Sequence, residues 1–130
     1  MVAKVILNPY ANRWKAQALW PQVETELNLA GVEFELAVSE RRGHLTEIAY
    51  ESAGGGFSPI LIAGGDGTIG EAVNGLARAL PSFNNGIGPV GFIPLGTAND
   101  FAHNLALPLD IPGAVQRIKA GHINTLTFAR

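Results

Sequence analysis

Ile60-Leu61-Ile62-Ala63-Gly64-Gly65-Asp66-Gly67-Thr68-Ile69 is the stretch that decides how this chain folds. A short apolar run reads as a buried strand, and the glycines after it mark a turn. From Ile69 onward, Ile69, Ala72, Val73, Leu76 and Leu80 recur at helical spacing. Strand, glycine turn and helix make one β–α unit. Glycines in such a turn allow positive φ and let a bulky ligand approach the main chain. The helix beyond offers unpaired N–H groups and the positive end of its dipole, which favour phosphate. Asp66 does not fit that picture by itself, because a carboxylate repels phosphate. It fits if it serves a cation or takes a proton from an attacking hydroxyl. The turn therefore points to Mg²⁺-assisted phosphoryl transfer. The same residues also suit a plain tight connection, with Asp66 as a turn former and Thr68 as the helix N-cap.

Working outward, the same alternation fills the chain. Val2 to Leu7 reads as a strand closed by Asn8-Pro9. Arg13 to Ala30 reads as mostly helical, with Pro21 expected at the first position of its main segment, where a proline gives up no hydrogen bond, and with Gly31 ending it. Glu33 to Val38 is expected as a strand, Leu45 to Ala53 as a short helix, and Val90 to Ile93 as a fourth strand after a polar loop. A short helical stretch through Leu105, a helix opened by Asp110 and Pro112 and closed by Gly121, and a last strand from Ile123 to Phe128 complete the series. Such a repeat predicts an α/β fold: a mainly parallel sheet with helices on both faces, a Rossmann-like lobe. Ligands bind such sheets at the carboxyl ends of the strands.

A second turn, Pro94-Leu95-Gly96-Thr97-Ala98-Asn99-Asp100-Phe101, also follows a strand and is expected on that same edge. Alone, it reads as helix capping by Asn99 or Asp100. Together, the two turns make a cleft with two sets of backbone donors and two carboxylates. A dinucleotide site is excluded: Gly65, Gly67 and Gly70 match G-x-G-x-x-G, but in the third β–α unit and without an acid about 20 residues on. A P-loop is excluded because the chain has no Gly-Lys-Ser or Gly-Lys-Thr.

Composition sets the outer bounds. The chain has 130 residues, 47% hydrophobic and 15% charged, which suits one globular domain. A net charge of −2 argues against a nucleic-acid binder, and no nucleic-acid partner is expected. The absence of cysteine removes disulfides and thiolate chemistry. No apolar run reaches membrane-spanning length, so a cytoplasmic location is expected. His103 and His122 have no neighbours that suggest a metal site, and Trp14 and Trp20 read as packing residues. His44 is expected on the surface, and Arg41-Arg42 as a solvated basic spot.

Asn8-Pro9, then Gly64-Gly65-Asp66-Gly67-Thr68 with Glu71, Asn74 and Gly75, then Pro94 to Phe101, together resemble the diacylglycerol kinase catalytic domain. The resemblance runs in order over nearly the whole chain. The first turn alone also fits NAD kinases and phosphofructokinases, whereas Gly-Thr-x-Asn-Asp-Phe points to the lipid branch. The resemblance implies a lobe that binds ATP with Mg²⁺, followed in family members by a largely β second domain, with the lipid acceptor between them. It implies nucleotide contacts from Asn8, Ser39, Gly64, Gly65, Gly67 and Thr68, with Gly96 and Thr97 lining the same cleft and Glu71 facing the nucleotide. Asp66 would serve Mg²⁺ or the reacting hydroxyl. Pro9, Arg13, Asn74, Asn99 and Asp100 belong to the same motifs.

The chain departs from the family pattern in several places. Ala11-Asn12-Arg13 stands where many members read Ser-Gly-Lys, and Gly43-His44-Leu45 where members often carry Gly-Asp-Ala. Thr127 stands where members commonly have aspartate, and the second domain, with a further catalytic acid, lies outside these residues. The expectation is thus a single ATP-binding domain over residues 1–130 that does not carry full activity alone. Its partners would be ATP, diacylglycerol or a similar lipid, a transient membrane surface and, through an exposed sheet edge, a second copy of the chain. A related kinase with a soluble acceptor and a non-catalytic nucleotide-binding module are the alternatives.

Overall fold

The computed structural model describes residues 2–10, 15–41, 43–55, 57–79, 89–95, 111–119 and 124–125. Its strands are β1 (Ala3–Leu7), β2 (Phe34–Val38), β3 (Ile60–Gly64), β4 (Pro89–Pro94) and β5 (Asn124–Thr125). Its helices are α1 (Lys15–Leu29), α2 (His44–Ala53), α3 (Asp66–Ala79) and α4 (Ile111–Lys119). The strands form one sheet in the order β2-β1-β3-β4-β5. The pairs β1–β2, β1–β3 and β3–β4 are parallel, and β5 joins β4 antiparallel. The expected α/β fold with a mainly parallel sheet is therefore present.

Period-2 alternation explains the two faces. Val5, Leu7, Leu61, Ala63 and Ile93 point to one side, where Ala16, Val23 and Leu27 of α1 and Ile111, Val115 and Ile118 of α4 cover them. Ile6, Ile60, Ile62, Val90 and Phe92 point to the other, under Leu45, Ile48 and Ala49 of α2 and Ile69, Ala72 and Leu76 of α3. The chain steps from β1 outward to β2 through α1, then back past β1 to β3 through α2. Crossovers of one hand that run in opposite directions put their helices on opposite faces. β3 is buried along its whole length, as a central strand must be. β2 is an edge strand, half-buried with Glu35 and Val38 exposed.

Two expectations change. α1 is one helix from Lys15 to Leu29 with Pro21 inside it, not at its first position. Pro21 has no N–H for the Gln17 carbonyl, but it lies on the exposed side, and burial of Ala16, Val23 and Leu27 on the opposite stripe holds the helix through it. Thr68 is not an N-cap. α3 begins at Asp66, and the Gly65 carbonyl accepts the first helical bond, from Ile69 at 3.0 Å, so Gly65 is the cap and Thr68 sits a turn inside. His44 stays partly at the surface, as expected, and its Nδ1 accepts from the Glu40 N–H at 2.9 Å. Trp20 does pack as expected, edge-on to Phe34 with ring centroids 5.9 Å apart. No helix among the described residues is long and apolar enough to cross a membrane.

Candidate active site

The strand order places a switch point between β1 and β3, because the chain leaves β1 in one direction and returns on its other side. At such a point the two connections diverge and leave a crevice at the carboxyl ends. Backbone bonds hold that edge together. Ser39 donates to Leu7 O at 3.0 Å, Asn8 to Ala63 O at 3.1 Å, and Leu95 to Gly64 O at 2.8 Å. The last of these sets the entrance of the second turn beside the first.

The centre of the edge is a side-chain bridge across the switch point. Asn8, just past β1, donates from Nδ2 to Thr68 Oγ1 at 3.1 Å, while its Oδ1 accepts from the Tyr10 N–H at 3.0 Å. The same Thr68 oxygen accepts from the Gly65 N–H at 3.3 Å. That bond is half of a capping box: a side chain at the third helical position returns to the cap N–H. Thr68 is only 2% exposed. With both acceptor directions used, its hydroxyl hydrogen is turned away from Asn8 and Gly65. A Cβ on Gly64 would lie 2.6 Å from Thr68 Cβ and Cγ2, so the last residue of β3 must be glycine for Thr68 to close over it.

Gly67 differs from Gly64. It lies exposed in the first turn of α3, and a Cβ there would meet nothing within 4 Å. Gly70, a turn further, is likewise exposed and unopposed. Glycine in a helix costs about 1 kcal/mol relative to alanine, and no packing against the described residues explains either position. Ser39 lies on the same edge, after β2, and is 3% exposed. Its hydroxyl has no partner among the described residues. Pro9 is buried, and its carbonyl accepts from the Gln17 N–H at 3.3 Å, which satisfies one of the free donors at the start of α1.

The structure thus brings Asn8, Pro9, Ser39, Gly64, Gly65, Gly67 and Thr68 to one edge. Asp66 is the first residue of α3, and its side chain lies outside the described part. Glu71 lies on the same helix but reaches toward α2: its Oε1 accepts from the Gly43 N–H at 2.7 Å. Asn74 is exposed further along α3. Arg13, Gly96, Thr97, Asn99, Asp100 and Thr127 lie outside the described residues, as do Trp14, His103 and His122.

Some contributors were not singled out from the sequence. The Tyr10 hydroxyl donates to Glu40 O at 2.9 Å and ties the loop after β1 to the loop after β2. Thr46 donates to Glu71 O at 2.9 Å. Nothing in the local sequence signalled the first. The second had no local signal either: the missing Ser, Thr, Asp or Asn cap at Gly43 points to the Glu71 carboxylate and not to this Thr46 bond. Arg41 pairs with Glu47 at 3.2 Å with both side chains well exposed, while Arg42, the other half of the expected basic spot, lies outside the described residues.

Comparison with known proteins fits this geometry. Residues 2–130 match the diacylglycerol kinase catalytic domain family. A diacylglycerol kinase of Staphylococcus saprophyticus is 34% identical over 130 residues, covering 98% of this chain and 40% of its own length. A diacylglycerol kinase of Staphylococcus haemolyticus is 38% identical over 128 residues, covering 98% and 37%. The crystal structure of a diacylglycerol kinase from Bacillus anthracis superposes with a TM-score of 0.77 at 28% identity, over 93% of this chain and 42% of that one. The chain spans about two fifths of the length of these relatives. A Gly-Gly-Asp-Gly-Thr turn at the β1/β3 switch point, bridged to Asn8, and a match along nearly every residue lead to one conclusion: this chain belongs to the diacylglycerol kinase catalytic domain family.

Proposed function

We propose that this chain is the nucleotide-binding lobe of an ATP- and Mg²⁺-dependent kinase that phosphorylates a lipid hydroxyl. The observation that carries the proposal is the Asn8–Thr68–Gly65 bridge, which orients the start of α3 at the switch point. The N-terminal N–H groups of α3 face the crevice edge, and helix starts of this kind bind phosphate. Exposed Gly67, without a packing reason of its own, leaves the main chain open to a ligand. Buried Ser39, whose hydroxyl has no partner among the described residues, is a polar group that costs about 1–3 kcal/mol to leave unsatisfied. Both features fit a phosphorylated ligand that takes hydrogen bonds from main chain and hydroxyls.

On this reading the free N–H groups at the α3 N-terminus, Gly67 among them, hold the phosphates, Gly64 and Gly65 let the main chain turn beside them, and Asn8, Ser39 and Thr68 position them. The family resemblance adds Gly96 and Thr97, which lie outside the described residues, as further nucleotide contacts. A bound Mg²⁺ would neutralise charge on the phosphates, and Asp66 is the residue that would hold it or receive the acceptor proton. The acceptor hydroxyl oxygen bonds to the γ-phosphorus, the bond from that phosphorus to the bridging oxygen breaks, and ADP leaves. The chain acts mainly by positioning and charge neutralisation. A lipid acceptor implies an encounter with a membrane surface.

The test uses the protein as expressed from its own gene. Transfer of labelled γ-phosphate is measured with vesicles containing diacylglycerol, sphingoid bases or phosphatidylglycerol, and with NAD as the soluble acceptor. The expected result is labelling of a lipid, lowered about a hundredfold or more by Asp66→Asn. Unchanged transfer in Asp66→Asn would refute the role of Asp66. Labelling of NAD alone would replace the lipid acceptor with a soluble one.

A further inference from the structure

We infer that Glu71 is a positioning residue: its carboxylate caps α2 from the neighbouring helix and thereby fixes the loop that carries Ser39. The geometry stands by itself, and the consequence for catalysis rests on the nucleotide-site reading above.

α2 begins at His44, and its cap residue Gly43 has φ 82° and no side chain that could bond the first turn. In a capping box, the side chain at the third helical position returns to the N–H of the cap residue. The third residue of α2 is Thr46, and its hydroxyl does not return. It donates instead to the backbone carbonyl of Glu71 at 2.9 Å. The missing half of the box comes from outside: Glu71 Oε1 accepts from the Gly43 N–H at 2.7 Å. The two helices therefore exchange bonds, side chain to backbone in both directions. The carboxylate also sits at the positive end of the α2 dipole, where a negative charge is favoured.

Between β2 and α2 the described residues are held at successive points. Ser39 N–H is bonded to Leu7 O, Glu40 N–H to His44 Nδ1, Glu40 O to the Tyr10 hydroxyl, and Gly43 N–H to Glu71. The first three ties involve β1, its following loop or α2 itself. Among the described residues, only the Glu71 tie bonds this loop to α3, the helix that opens with Asp66-Gly67-Thr68. Glu71 thus sets the distance between the Ser39 side of the crevice and the α3 side. A residue acting in this way needs an acceptor oxygen and not a negative charge, so a glutamine replaces it and an alanine does not.

Two measurements test this. In the first, amide hydrogen exchange is followed without nucleotide. Glu71→Ala is expected to speed exchange at Gly43 about tenfold, as loss of a bond to a charged acceptor should, while β3 amides stay unchanged. Glu71→Gln is expected to stay within about threefold of the unaltered protein. In the second, ATP kinetics are measured on the protein as expressed from its own gene. Glu71→Ala is expected to raise KM for ATP about tenfold with kcat within about twofold, and Glu71→Gln to restore KM. Unchanged Gly43 exchange in Glu71→Ala would overturn the inference. So would a loss of kcat in Glu71→Gln as deep as that in Asp66→Asn, since charge would then be what matters. If the unaltered protein turned over no ATP, the functional reading would fail while the exchange result still decided the cap.

Discussion

Replacing Gly75 by alanine tests how closely α2 and α3 pack, and the two helices supply opposing terms. Helix propensity favours the substitution by about 1 kcal/mol. Packing opposes it: the new Cβ would lie 2.9 Å from Ala49 Cβ and run into the backbone carbonyl of Thr46. Neither neighbour is the movable end of a long side chain, so α2 would have to retreat by roughly 1 Å to restore ordinary contact. Overpacking of this sort costs about 1–3 kcal/mol. The retreat would also stretch the bonds from Gly43 to Glu71 and from Thr46 to Glu71, at about 1–3 kcal/mol more. The net expectation is a loss of about 3 kcal/mol, between limits of about 1 and 5 kcal/mol. Urea denaturation should show the midpoint falling by about 1–2 M with an unchanged slope. Gly70→Ala is the control, because its Cβ meets nothing within 4 Å, and it should gain up to about 1 kcal/mol. A Gly75→Ala protein as stable as the unaltered one would refute the close approach of the helices.

Other substitutions test the crevice and the first helix. Asn8→Ala removes the bond to Thr68 and the acceptor of the Tyr10 N–H. It should lower stability by about 1–2 kcal/mol in urea titrations and weaken Mg²⁺-ATP binding about tenfold by calorimetry. Gly67→Ala should leave stability unchanged or slightly higher while weakening nucleotide binding, a separation that a purely structural glycine would not give. Pro21→Ala restores an N–H for the Gln17 carbonyl on an exposed helix side and should raise the thermal midpoint, by about 1–2 kcal/mol of stability, with kinetics unaltered.

Much of this was legible in the residues because the signals are local. The run Ile60 to Ala63 before two glycines could hardly be anything but a buried strand entering a turn, and the apolar spacing from Ile69 matched the face of α3 that is buried. Element boundaries were less secure where local and tertiary forces compete. Pro21 has a strong local preference for a helix start, yet burial of Val23 and Leu27 together with Ala16 keeps α1 continuous through it. Thr68 resembles an N-cap by residue type. Because the helix starts at Asp66, it instead closes back on Gly65 and bonds to Asn8.

The sequence by itself determined the β–α alternation, the family and the set of residues around Gly64-Gly65-Asp66-Gly67-Thr68, because strand runs, turn glycines and helix periodicity are written in neighbouring residues. Only the tertiary structure decided that Asn8 touches Thr68 across 60 positions and that Glu71 caps a helix 28 positions earlier. It also separated the glycines, giving Gly64 and Gly75 to packing and leaving Gly67 and Gly70 open to solvent. The physical reason is one of range. Hydrogen bonds between strand ends and steric contacts between helices depend on sheet order and crossover direction, and no short window of sequence contains those.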